Sequence, residues 1–90
     1  MVELDARTVV VFKNDSTSKN VWPASAIHPT HKVYPGSGIE KCGTEDADTI
    51  FDACKAIHPG ESYSFTFDEV GEWKYHNHLQ PSNSGTITVN

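Results

Sequence analysis

The sequence has none of the features that mark a nucleic-acid-binding or membrane-spanning chain. Its 90 residues include 7 Lys and Arg against 12 Asp and Glu, giving a formal net charge of −5, and they contain no basic cluster. Binding to nucleic acids or anionic membranes depends on such clusters. No apolar run approaches the roughly 20 residues that a membrane-spanning helix needs. We therefore expect a single domain over residues 1–90 that binds no nucleic acid and does not insert into a membrane.

Cysteine is scarce, because the chain contains only Cys42 and Cys54. Their separation is too wide for the CxxC pattern of redox and zinc motifs. A disulfide between them would stabilise so small a domain by about 3 kcal/mol. The alternative is a pair of free, buried thiols in a reducing compartment. We expect the disulfide, and with it an extracytoplasmic location, either periplasmic or secreted and envelope-attached.

Strand patterns occupy both ends of the chain. A β-branched run covers residues 8–12, and residues 62–67 alternate between apolar and polar. Residues 72–78 alternate again after a chain reversal, and residues 86–89 form a last strand after a loop at 81–85. The expected core side chains are Val9 or Val10, Val11 or Phe12, Trp22, Tyr63, Phe65, Phe67, Trp73, Tyr75, Ile87 and Val89.

The middle of the chain is irregular. Proline and glycine interrupt it repeatedly between residues 23 and 43, and only residues 48–57 have the pattern of a short helix. Strands at both ends with one long central excursion predict an all-β fold, a Greek-key β-sandwich with a long central loop. A loop of this length is expected to carry function, the disulfide or both.

Four of the five histidines fall into two close pairs. His76 and His78 are two residues apart on a predicted strand, so both imidazoles project from the face opposite Trp73 and Tyr75. Two neutral imidazoles side by side form half of a site for a divalent transition metal.

The second pair is His28 and His31. Pro29 disfavours helix at His28, and a turn over Pro29 and Thr30 would bring the two rings together as the other half of a four-nitrogen site. The alternative is that each pair is only polar surface. His58, before a Pro-Gly turn, is expected to be solvated.

Three motifs lie in the last 32 residues, at 59–67, 71–78 and 85–89. They read as a Pro-Gly-led strand rich in aromatics, a Gly-x-aromatic-x-aromatic strand, and a closing Gly-x-Ile-x-Val strand. Together they resemble the C-terminal half of a cupredoxin, the family of plastocyanin-like proteins and multicopper-oxidase domains. This resemblance implies a copper site at the end of the second strand.

The same resemblance implies that the site is not a blue-copper site. Such sites take a Cys thiolate, a following His and usually a Met. Here Asn77 or a direct neighbour stands where the Cys would be, Gln80 stands near the position of the His, and the only Met is Met1. Residues 73–79 instead resemble the WxYHxHL segment that holds non-blue coppers in multicopper oxidases, which implies His76 and His78 as ligands. His28 and His31 resemble the upstream ligand pair of those enzymes.

We therefore expect a mononuclear, non-blue, histidine-rich copper site that holds Cu(II) or Cu(I), with zinc as a substitute, and a role in electron transfer or copper handling. The partner would be a redox or copper-delivery protein. One alternative is a small copper-dependent redox enzyme domain, in which Asp52 could be a general base, although a loop carboxylate is expected to be solvated. The other is a metal-free β-sandwich module of a larger envelope protein, in which the histidines would be scattered.

Overall fold

The computed structural model describes residues 2–90, and these residues form two β-sheets without an α-helix. The strands are β1 (Val2–Leu4), β2 (Thr8–Lys13), β3 (Pro23–Ser25), β4 (Ser62–Phe67), β5 (Gly71–Asn77) and β6 (Gln80–Val89). Two single-turn 3-10 helices, Ile39–Lys41 and Ala47–Thr49, lie in the long segment between β3 and β4. The all-β prediction is confirmed. Within residues 2–90 there is no helix of the length and hydropathy required to cross a membrane.

The larger sheet has the strand order β1-β6-β5-β3, and the smaller sheet pairs β2 with β4. β1 runs parallel to β6, whereas the other pairs are antiparallel. In the smaller sheet Val10 stands opposite Phe65, and in the larger one Trp73 stands opposite Ile87. The inner faces of the two sheets meet, since the rings of Phe12 and Tyr75 are 5.6 Å apart. This is the sandwich that the strand pattern predicts.

The core lies between the sheets and is closed by the central loop. Val9 and Val11 are 57% and 61% exposed, so Val10 and Phe12 are the inward residues of β2. Trp22, an expected core residue, lies instead at the edge of the sandwich against His78, with ring centroids 4.5 Å apart. The buried members of the core cluster are Tyr34, Phe51, Phe67, Ile87 and Val89. Of these, the two loop residues Tyr34 and Phe51 were not expected.

The predicted helix over residues 48–57 is wrong. Only Ala47–Thr49 makes a helical turn, and the residues that follow extend along the free edge of β3. Ser25 N–H donates to Phe51 O at 2.8 Å, and Ala53 N–H donates to Pro23 O at 2.9 Å. The edge strand thereby gains partners for its backbone groups, which a helix would not supply.

The predicted loop at 81–85 is also wrong, because β6 begins at Gln80. Its first half pairs with the end of β5, with Ser84 opposite His76 and Gly85 opposite Tyr75. A Cβ at Gly85 would lie 2.6 Å from Tyr75 Oη, so glycine is required for this close approach. The turn-like composition of the segment is overridden by pairing with β5.

Cys42 and Cys54 form a disulfide with their Cα atoms 5.3 Å apart, as predicted. It closes residues 42–54, the part of the central loop that includes the extended stretch along β3.

Reduction of this disulfide should lower the free energy of unfolding by about 3 kcal/mol, because the unfolded chain regains the entropy that a closed loop of this size removes. Urea unfolding with and without reductant measures the loss. The Cys42→Ser/Cys54→Ser variant serves as the control, since added reductant should not change its midpoint. An oxidised protein no more stable than the reduced one would contradict the expectation.

Candidate metal centre

All four paired histidines meet at one end of the sandwich. One ring nitrogen from each of His28, His31, His76 and His78 lies within 4.8 Å of the others. Two ligands on opposite sides of an ion at about 2.0–2.1 Å stand about 4 Å apart, so small side-chain adjustments bring these nitrogens to coordination distance. His58 is not in the group and stays exposed, as expected.

The end of β5 positions His76 and His78. His76 pairs with Ala24 of β3, and the β5–β6 register shifts between His76 and Asn77. Asn77 Oδ1 accepts hydrogen bonds from Trp22 N–H at 2.9 Å and from Leu79 N–H at 3.1 Å. His78 N–H donates to Trp22 O at 2.8 Å. These hydrogen bonds fix the turn after β5 to Trp22. The His76 ring therefore reaches the cluster from the strand, and the His78 ring reaches it from the turn.

A tight turn after β3 carries the other two histidines. Residues 28–30 form the turn, and His31 N–H donates to Ile27 O at 2.8 Å. His31 has a φ of 60°, the left-handed conformation, which histidine adopts more readily than most residues. The rings of His28 and His31 are 6.3 Å apart between centroids. His31 is fully buried, whereas His28 is exposed at the rim.

Asp52 lies beside the histidine cluster, and sequence reasoning placed it wrongly. It is 2% exposed rather than solvated, and its Oδ2 lies 2.6 Å from His31 Nδ1. Trp22 Nε1–H donates to Asp52 Oδ1 at 2.6 Å, and Cys54 N–H donates to the same oxygen at 2.8 Å. Its flanking residues, Phe51 on one side and a disulfide cysteine two positions later, were the available signal that this carboxylate lies in a buried stretch.

Asp52 also belongs to a second cluster, with Cys42 and Cys54, whose side-chain donor atoms lie within 4.8 Å of one another. Both sulfurs are in the disulfide, so neither is a thiolate that could bind metal.

His76 and His78 are held in the neutral form that ligates metal. Burial, followed by the neighbouring His31, His28 and His78, lowers the pKa of His76 from its ordinary value of 6.5 to about 4. Burial and the neighbouring His31 and His28 also lower the pKa of His78. At neutral pH both rings therefore carry a free lone pair.

The strongest sign that the cluster accepts a ligand is His76 itself. The side chain is 4% exposed, and neither ring nitrogen has a hydrogen-bond partner within residues 2–90. A buried polar group without a partner costs about 1–3 kcal/mol, so such groups are uncommon unless something else binds them. A metal ion among the four rings would occupy one of these nitrogens. The residues present therefore fit a metal.

The metal-free protein should lose stability as the pH falls from about 6.5 to 4. The unfolded chain protonates His76 near pH 6.5 and the folded chain only near pH 4, so the unfolded state binds more protons in this window. This difference between the pKa values of His76 in the unfolded and folded states corresponds to about 3 kcal/mol in the free energy of unfolding. Chemical unfolding at pH 7 and pH 4.5 measures the loss. A His76→Leu variant should depend less on pH, and an identical pH profile in variant and parent would contradict this assignment.

The sequence matches no protein-family model and no curated protein. Solved structures do match. A purple cupredoxin from Nitrosopumilus maritimus superposes with a TM-score of 0.70 at 22% identity, over 99% of this chain and 76% of that one. The M98A mutant of amicyanin in the Cu(I) form superposes with a TM-score of 0.66 at 16% identity, over 99% of this chain and 68% of that one. The Cu-containing nitrite reductase of Thermus scotoductus superposes with a TM-score of 0.68 at 20% identity, over 98% of this chain and 18% of that one. The fold of this chain is a cupredoxin-like fold.

Proposed function

We propose that this chain is a copper-binding protein whose mononuclear, non-blue site consists of His28, His31, His76 and His78. The observation that carries the proposal is the convergence of four imidazoles that include the buried His76, whose ring nitrogens have no hydrogen-bond partner among residues 2–90. The metal-free module predicts scattered histidines, and their convergence favours the metal site over it.

Copper is the metal that best suits this donor set. Nitrogen ligands bind Cu(II) more tightly than the other divalent first-row ions, and Cu(II) accepts tetragonal arrangements. The amicyanin mutant was solved in its Cu(I) form and the nitrite reductase is described as Cu-containing, which supports the same metal for a shared fold. Zinc binds the same ligands more weakly and serves as a substitute.

The site differs from a blue-copper centre in its chemistry. Both cysteines are in the disulfide, so no thiolate is available to give strong sulfur-to-copper charge transfer. The loaded protein is then nearly colourless or faintly blue. Four imidazoles suit Cu(II), but they do not impose the compromise geometry by which a blue-copper site suits both Cu(II) and Cu(I). This favours slow electron transfer, or the storage and delivery of copper.

The surroundings of the site bear on partner and location. His28 is exposed at the rim, so a redox or copper-delivery protein could approach the metal there. The disulfide supports an extracytoplasmic setting. An enzymatic role is less favoured, because Asp52 already accepts from Trp22 and Cys54 and bonds His31.

Calorimetric titration of the metal-free protein with Cu(II) tests the proposal. We expect one saturable equivalent per chain and weaker, competitive binding of Zn(II). His58→Ala is the matched control, because it removes an exposed histidine outside the cluster and should leave the titration unchanged. Absence of saturable binding, or binding that depends on His58, would refute the site.

A further inference from the structure

We infer that Asp52 is a positioning residue of the candidate metal centre, which holds the proton of His31 on Nδ1 and thereby turns the Nε2 lone pair toward the metal. The inference rests on the proposed function for its metal-binding consequence. Its structural part, the tautomer of His31, concerns the metal-free protein.

The hydrogen bonds of the Asp52 carboxylate determine the tautomer. Oδ1 accepts from Trp22 Nε1–H and from Cys54 N–H, which are donors that cannot reverse their roles. Oδ2 lies 2.6 Å from His31 Nδ1. Since a carboxylate only accepts hydrogen bonds, Nδ1 must be the donor and must carry the proton. In neutral His31 the other nitrogen, Nε2, is then unprotonated.

Nε2 of His31 faces the other histidines. It lies 3.0 Å from Nδ1 of His78, and the His31 ring is also packed against His76, with centroids 4.8 Å apart. The nitrogen that Asp52 leaves unprotonated is therefore the one directed at the cluster. This is the carboxylate–histidine–metal arrangement in which an outer carboxylate orients a ligand and raises its basicity.

Burial makes this arrangement rigid. The side chains of His31 and Asp52 are both fully buried, so bulk water does not compete for their hydrogen bond. The backbone of Asp52 forms an isolated antiparallel β-bridge with that of Ala24, and the Asp52 N–H donates to Tyr63 Oη at 3.0 Å. His28, in contrast, is exposed at the rim. Asp52 thus makes His31 a fixed ligand of a site whose other edge is open.

The carboxylate also favours one oxidation state. Its negative charge is hydrogen-bonded to His31 in a buried setting, so it would act on an ion held by that ring, and Cu(II) carries one more positive charge than Cu(I). Loss of that charge should therefore weaken Cu(II) more than Cu(I). Outer partners of metal-binding histidines typically contribute about 10–100-fold in metal affinity, and we expect a loss in that range for Cu(II).

The Asp52→Asn variant should change the tautomer of His31, because it replaces an accepting carboxylate oxygen with a donating NH2 group. The amide oxygen still accepts from Trp22 and Cys54, which leaves the NH2 group facing His31 Nδ1. Nδ1 must then accept, and the proton moves to Nε2, where it blocks ligation. Asp48→Asn is the matched control, because it removes the same charge at an exposed residue of a 3-10 helix.

Long-range 15N–1H NMR of the metal-free protein tests the inference. We expect His31 to be protonated at Nδ1 in the parent and in Asp48→Asn, and at Nε2 in Asp52→Asn. An Nε2-protonated His31 in the parent would overturn the inference, and this result stands even if Asp52→Asn does not fold.

Affinities for Cu(II) and Cu(I), measured by chelator competition, test the metal-binding consequence. Asp52→Asn should lose about 10–100-fold for Cu(II) and less for Cu(I), whereas Asp48→Asn should match the parent. Equal affinities in Asp52→Asn and the parent would overturn the positioning role. A parent that binds no copper would instead refute the proposed function, and the tautomer result would remain.

Discussion

The His76→Ala/His78→Ala variant should bind Cu(II) more than about a thousandfold more weakly than the parent. Loss of an outer-shell partner alone costs about 10–100-fold, and two direct ligands cost more than one such partner. Neither ring nitrogen of His76 has a hydrogen-bond partner in the described part of the chain, and His78 Nδ1 lies 3.0 Å from His31 Nε2. Chelator competition measures the affinity, with His58→Ala as the control for loss of an imidazole.

The stability of the same variant separates a metal site from a structural cluster. His76→Ala removes two buried nitrogens that have no hydrogen-bond partner within residues 2–90, and His78→Ala removes a half-buried ring. The first change offsets part of the packing lost with the two rings, so the metal-free variant should unfold at a denaturant concentration close to that of the parent. Addition of Cu(II) should raise the unfolding temperature of the parent only, because binding to the folded state alone stabilises it. A variant that binds copper as tightly as the parent would place the site elsewhere.

Phe51→Ala should lower the free energy of unfolding by about 3–5 kcal/mol, which is much of the stability of so small a domain. The Phe51 side chain is fully buried, and its ring packs against Phe65 at 5.2 Å and Phe67 at 4.8 Å between centroids. With Tyr34, it is one of the two residues of the central loop that belong to the buried core cluster. Urea unfolding measures the effect.

Val11→Thr is the matched control for this experiment. Val11 is 61% exposed on the outer face of β2, and threonine keeps its β-branched shape, so the change should be within about 0.5 kcal/mol. If Phe51→Ala unfolds at the same urea concentration as Val11→Thr, the loop does not close the core as described.

The parts of the fold that could be predicted are those with a period of two, or a run of β-branched residues, over several positions. Ser62–Phe67 and the strand that ends near His76 alternate clearly, and both are strands in the structure. β1 and β3 have three residues each, too few for a period to be visible. Phe51 lies in an extended stretch that pairs with the edge of β3, and only tertiary contacts determine that placement.

In the candidate site, too, local sequence patterns predict some residues and tertiary contacts determine the others. Spacing was enough to single out His76 with His78 and His28 with His31. The reason differs for the first pair, because β5 ends at Asn77 and His78 lies in the turn that follows, not on the strand as predicted. Asp52 could not be placed in this way. Its contact with His31 spans 21 positions and depends on the loop that the disulfide closes. A buried carboxylate with three donors is recognised only once those donors are assembled.

The electron paramagnetic resonance spectrum of the protein with one equivalent of Cu(II) tests the central claim most directly. Four neutral imidazoles should give a tetragonal spectrum with splitting from several equivalent nitrogens, together with only weak visible absorption. The splitting should disappear in the His76→Ala/His78→Ala variant and persist in His58→Ala. A parent spectrum without nitrogen splitting, like that of copper bound to water and carboxylates, would contradict the claim that the four histidines form a copper site.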